Sequence, residues 1–460
     1  MAFLRTHSKN LYIMDELYSA LQKDIRRGNI KEVLFWGGEF VNSGNPNPLW
    51  GRLFLIAVED ISIGQPHSSI ALWNYYTKWN QTLKSQKITA KNSHLSKTAS
   101  QYVIDALKYV TISYKNRMIN NSLAYVTATY NLEDVLLPSD QMKTFTLTLL
   151  VDNKYKMALD YLYMLLYHYL LSNEYEKAIF CGDVILQIKD TLKLHISPDP
   201  FEFIKGYNSH EDLKQLLNHL YMITKADLSS PRLTLAFMIY LVLHYDLIKS
   251  ILNEDPDIPT GFEEYFYNTD TDITKRRIFA IPDYAIDKHT GRGKGSKKAK
   301  NDFHLLEKEA KKRNINIDQW SLNEKLKSHG PYVQFADNYV DQQKIHSPIS
   351  HFFTIGSMVT HVRKGPLGYD SYFEKAMAAY LTIELKKGYK AAKSTQILKS
   401  RWPSILKFIE DPHIPQKQPI ISKDLQTIEV PIKKIQVVKK LPEKPQKIPI
   451  KTKKSPVKVT

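Results

Sequence analysis

Glu59 and Asp60 form the carboxylate pair that most invites a catalytic reading in this 460-residue chain. General acid and base groups must face one substrate. Adjacent helical residues point about 100° apart, so the pair is expected to act structurally, through Arg26, Arg27 or Arg52. Asp287 and His289 are a second candidate pair. No third group beside them completes an acid/base set, so a cap that orders the neighbouring Gly-rich loop is the expectation. His346, His351 and His361 lack the Cys or carboxylate neighbours and the spacing of a metal site. Cys181, the only cysteine, sits among Ala178, Ile179 and Phe180 on a helical pattern and reads as a small core residue. No segment has the Gly, four residues, Gly-Lys-Ser/Thr spacing that wraps a nucleotide phosphate; Gly291, Gly293 and Gly295 are spaced wrongly. ATP hydrolysis, a metal and a cofactor are therefore not expected.

What remains is electrostatic. The formal charge is +17 and the pI about 9.4, a balance that favours an anionic partner, most commonly nucleic acid. Between residues 275 and 313 there are 13 Lys or Arg against 5 Asp or Glu, 13 − 5 = +8. Lys275, Arg276, Arg277, Lys288, Arg292, Lys294, Lys297, Lys298 and Lys300 are the candidate phosphate contacts. Glycines that alternate with cations let amides and side chains meet phosphate oxygens together. From 411 to 460, 12 lysines against 4 acids give 12 − 4 = +8, and 8 of the 22 prolines fall there. Such a segment buries too little apolar surface to offset its ordering entropy, so it reads as a disordered basic tail.

The elements that carry these residues read as helices. Met14, Leu17, Leu21 and Ile25 share one face, and Gly28-Asn29 stops that helix where a left-handed residue is wanted. Ile30 to Val41 forms a second helix and Leu49 to Ala57 a third. Ser69–Lys84, Gln101–Tyr114, Met157–Leu171 and Tyr175–Ile188 follow, with Ser85–Ser100 as a polar connector. Leu233–Ile248 is apolar nearly all round, the mark of a buried helix. Asn253–Thr274 is acidic and turn-rich, a hinge by composition. Ser371–Lys387 is amphipathic, and Trp402-Pro403 ends or kinks the helix after it. Only Thr144–Val151 has an ambiguous strand-like pattern, so the fold class is all-α, a multi-helix bundle with a basic tail. Expected divisions are 1–130, 131–250, 251–410 and 411–460.

The order of residues in Leu21–Gly28, Trp36, and Glu59–Gly64 resembles the C-terminal domain of the replication-associated AAA ATPases, the family of bacterial MgsA and the Werner helicase-interacting protein. Lys115-Asn116-Arg117 is similar to that family's Lys-Ser-Arg turn, and Asp287 to Gly293 looks like an element of stand-alone relatives. The resemblance covers residues 14 to 130 and implies an oligomerisation collar related to that of sliding-clamp loaders, here without its ATPase module. It puts Arg26, Arg27, Lys115 and Arg117 either at a collar interface or on a basic face.

The functional expectation is a non-enzymatic, DNA-associated replication, recombination or repair protein. It would self-associate or dock to a replication ATPase or clamp-loader-like partner, and bind DNA non-specifically and salt-sensitively. A helical scaffold or virion assembly protein that packages nucleic acid is the alternative, and an enzyme acting on nucleic acid around Asp287 and His289 a third. No apolar run reaches the roughly 20 residues of a membrane span, and no signal peptide is legible. The expected location is intracellular and soluble, in nucleus, cytoplasm or a viral replication compartment. The Lys, Asn, Ile and Tyr usage is that of an AT-rich genome.

Overall fold

The structure is a computed structural model that describes residues 7–137 and 149–268, parts of 270–290, Lys311, 369–388 and 391–412. The described residues are helical, with no strand and two isolated bridges, His7 to Ile13 and Leu150 to Ser197. The all-α expectation therefore holds for them. Helices α1 (Met14–Arg27), α2 (Ile30–Asn42), α3 (Pro46–Ile56), α4 (Ser68–Ser85) and α5 (Lys97–Ile112) pack around one core. Gly28 ends α1 with φ 75°, and the amides of Gly28 and Asn29 return to the carbonyls of Ile25 and Asp24. Leu17, Leu21, Ile25, Leu34, Trp36 and Trp50 are fully buried between these helices.

The second core gathers α6 (Met118–Thr129), α7 (Asn153–Leu171), α8 (Tyr175–Leu192), α9 (Pro200–Tyr207), α10 (Glu211–Lys225), α11 (Pro231–Leu243) and α12 (Tyr245–Ile248). Helix α11 is apolar on all sides because other helices surround it; residues 233 to 242 are all buried. The expected single helix to Ile248 breaks at His244, with a 92° bend between its two parts. Helix α6 packs in the second core, to which Val58, Ile63 and Ile70 also contribute.

Two expectations meet corrections. The turn-rich segment 253–274 is not only a hinge: it contains α13 (Glu263–Tyr267), whose Phe266 is buried against α2. A Cβ on Gly38 would lie 2.3 Å from the Phe266 carbonyl oxygen, so glycine is what permits this approach. After α14 (Ile273–Arg276) and α15 (Tyr369–Lys387), α16 (Ser394–Glu410) does not end at Pro403 but continues past it. The missing proline amide removes one backbone bond there, while buried Ile405, Phe408 and Ile409 join the second core and hold the helix in place. The expected basic tail lies outside the described residues beyond 412.

Candidate functional site

The helix α3 does not end at Ile56; its backbone widens into a π turn over Ala57–Ile61, which closes at Ser62 with φ 39°. Such single wide turns re-aim side chains within a helix. Here the turn delivers Glu59 and Asp60 together toward α1 and the α5–α6 connection. Arg26 Nε lies 2.8 Å from Asp60 Oδ1 and its Nη2 lies 3.4 Å from Glu59 Oε1. From the other side Arg117 places Nε 3.0 Å from Asp60 Oδ1 and Nη2 3.0 Å from Glu59 Oε1. Two guanidiniums thus clamp two carboxylates, with Asp60, Arg26 and Arg117 buried.

Gln22, one turn before Arg26, donates from Nε2 to Asp60 Oδ2 at 2.9 Å. Its Oε1 accepts from Arg52 Nη1 at 3.2 Å, and the Arg52 guanidinium lies 5.2 Å from the Tyr18 ring centroid. Burial pushes the Tyr18 hydroxyl up to about 12 against the pull of Arg52. The backbone closes the same knot: Asn116 N–H donates to the Asp60 carbonyl at 2.9 Å, and Ser62 Oγ donates to the Asn116 carbonyl at 2.8 Å. Lys115 is fully buried, and its Nζ donates to the carbonyls of Thr111 and Ser113. Burial pushes its ammonium down to about 7, while the Asp60 charge opposes the shift.

The expected structural pairing of Glu59 and Asp60 is therefore present, with Arg26 directly and with Arg52 through Gln22. Arg27 is not part of it; its Nη1 donates to the Lys23 carbonyl at 3.2 Å. Trp36 is buried, and its indole N–H donates to Asp24 Oδ2 at 2.8 Å, which also anchors Asn29 through Oδ1. Gln22 was missed in the sequence, although its place four residues before Arg26 on the same helical face was a usable signal. With both carboxylates held by arginines, the chemistry of this cluster is fastening α1, the π turn and Arg117 to one another.

The basic candidates divide. Lys275 is exposed and Arg276 half-buried. Arg277 corrects the expectation of a phosphate contact: its side chain is fully buried, with the guanidinium 5.1 Å from the Tyr12 ring centroid. It faces the charge of Glu39, a buried carboxyl that accepts from Ser8 and Asn10 and that burial pushes above the usual carboxylate range. Burial of Ile281 and Ala285 and the bond from Tyr12 Oη to the Phe279 carbonyl at 2.6 Å dock this stretch on the first core. Lys288, Arg292, Lys294, Lys297, Lys298 and Lys300, with Asp287 and His289, lie outside the described residues.

Cys181 is buried, and desolvation pushes its thiol well above the ordinary range. Among the described residues no group of His, Cys, Asp and Glu is placed to hold a metal ion, and no single helix is long and apolar enough to cross a membrane. Comparison with protein-family models, with curated proteins and with solved structures finds no match to this chain.

Proposed function

We propose that this protein is a non-enzymatic, DNA-associated factor of replication, recombination or repair, which meets DNA phosphates through its basic segments. The observation that carries the reading is where the charge lies. Of the net +17, +8 falls in 275–313 and +8 in 411–460, which leaves +1 for the rest of the chain. A chain that is close to neutral apart from two strongly cationic segments is suited to sequence-independent contact with a polyanion. The ion pairs of Arg26, Arg117, Glu59 and Asp60 support the non-enzymatic part, because groups committed to one another are poor acid/base catalysts.

The test is a salt titration of duplex DNA binding, comparing the full chain with one ending at residue 412. The full chain should bind at low salt with a steep loss on salt addition. The truncated chain should bind more weakly and with a shallower slope, since fewer counterions are released. No binding at low salt by the full chain removes the proposal. Self-association through the first helical module, by the resemblance to a collar, is read from the same sample by light scattering. A defined oligomer supports it and a monomer removes it.

A further inference from the structure

A buried arginine, Arg401, and a half-buried one, Arg232, stand beside one buried carboxylate, Asp183, in the second core. Arg232 takes Asp183 for itself, with Nη2 2.6 Å from Oδ2 and Nε on Oδ1, and reaches Thr127 Oγ1 at 3.1 Å. Arg401, from α16, is 6 % exposed. Its Nη2 donates to the Val126 carbonyl at 3.0 Å and to the Thr127 carbonyl, and its plane lies 5.0 Å from the Phe180 ring centroid. Its Nη1 has no hydrogen-bond partner. The nearby carboxylates are otherwise engaged: Asp183 by Arg232, and Asp134 by the Asn131 amide at 2.7 Å. A buried guanidinium without a carboxylate of its own is an uncompensated charge, which proteins normally neutralise with a counterion.

Arg401 also forms part of the wall of a cavity of about 590 Å³ between the end of α6, α15 and α16. Among the described residues, Thr127, Asn131, Lys387, Gln396 and Ser400 contribute the other polar groups of its lining, and none of the lining residues is a carboxylate. Two cationic residues together with hydroxyl and amide groups in the wall of a space this large match a doubly charged oxyanion that carries an organic group.

We propose that this cavity is a binding site for a terminal phosphate group, as on a nucleotide or a nucleic-acid end. The site is separate from the basic segments, and it stands or falls independently of the DNA reading. The test uses the full chain with inorganic phosphate, a nucleoside 5′-monophosphate, and one oligonucleotide with and without its 5′-phosphate. Titration calorimetry should show binding of the monophosphate, and Lys387→Glu and Gln396→Glu should each weaken it about tenfold, a change of about 1.4 kcal/mol. Both side chains are exposed, so neither variant disturbs the core, and both leave 275–313 and 411–460 intact. Equal binding of inorganic phosphate and the monophosphate assigns recognition to the phosphate group alone. A preference for the 5′-phosphorylated oligonucleotide over its hydroxyl form assigns it to a nucleic-acid end. No binding of any phosphate probe, or binding unchanged in both variants, overturns the proposal.

Discussion

Arg26 Nε and Asp60 Oδ1 meet at 2.8 Å with both side chains buried, which ties the first helix of the chain to the π turn at the end of α3. Arg117 reaches the same oxygen from the start of α6. Asp60→Ala leaves both buried guanidiniums with only the partly exposed Glu59 as counterion, and the expected cost is about 3 kcal/mol of unfolding free energy. Glu59 is 20 % exposed, so Glu59→Gln should cost clearly less, about 1 kcal/mol. Urea midpoints of the two variants check the order. A loss for Asp60→Ala no larger than that for Glu59→Gln would deny the clamp its role.

Lys115 makes stability depend on pH in a predictable direction. Its folded pKa is pushed down to about 7, whereas the unfolded chain restores an ordinary value of about 10.4. Between these the unfolded state holds the extra proton, so stability rises with pH above about 7. Above about pH 10 the buried tyrosines reverse the trend, because a hydroxyl such as that of Tyr18, pushed up to about 12, keeps its proton only in the folded chain. Lys115→Met should therefore flatten the rise between about pH 7 and 9.5 in urea unfolding. Parallel curves for variant and parent would mean that Lys115 keeps its proton throughout.

Gly37 and Gly38 are neighbours with different constraints. An added Cβ at Gly38 meets the Phe266 carbonyl oxygen at 2.3 Å, a backbone atom, while at Gly37 it meets the terminal methyl of Leu107, which can rotate away. Gly38→Ala should lose about 1–3 kcal/mol through displacement of α13, and Gly37→Ala less. Limited proteolysis near residues 255–270 offers a second readout, with faster cutting expected only in Gly38→Ala. Equal behaviour of the two variants would mean that α13 does not rest on α2 in solution.

Cys181 supplies a probe of the whole second core. Its thiol is fully buried, and desolvation holds it protonated. Thiol reagents need the thiolate and access to it, so modification should proceed no faster than opening of the core and should accelerate sharply in denaturant. Rapid, stoichiometric labelling of the native chain would contradict this burial.

Much of the helical architecture was legible because apolar spacing is a local property. The face of Met14, Leu17, Leu21 and Ile25, the stop at Gly28, the α7–α8 hairpin and the burial of Cys181 all follow from residues within a few turns of one another. The candidate cluster was legible in part. Glu59 and Asp60 were expected to pair with arginines, but Arg27 and Arg52 read as well as Arg26, and the π turn that aims both carboxylates one way has no signal in an otherwise regular helical pattern. Pro403 reads as a helix end or kink, and the packing of Ile405 and Phe408 carries the helix past it.

By itself the sequence determined the helical class of the described residues, the concentration of charge in 275–313 and 411–460, and the want of a nucleotide-wrapping loop, because each depends on composition or short-range spacing. Only the tertiary structure decided which charges are inside. Arg277 stands in a basic triplet with Lys275 and Arg276, yet it alone is fully buried, under Tyr12 and beside Glu39. Arg26, Asp60 and Arg117 meet across almost a hundred residues of chain. Desolvation and ion pairing depend on which distant elements pack together, and no local pattern in the chain encodes that distance.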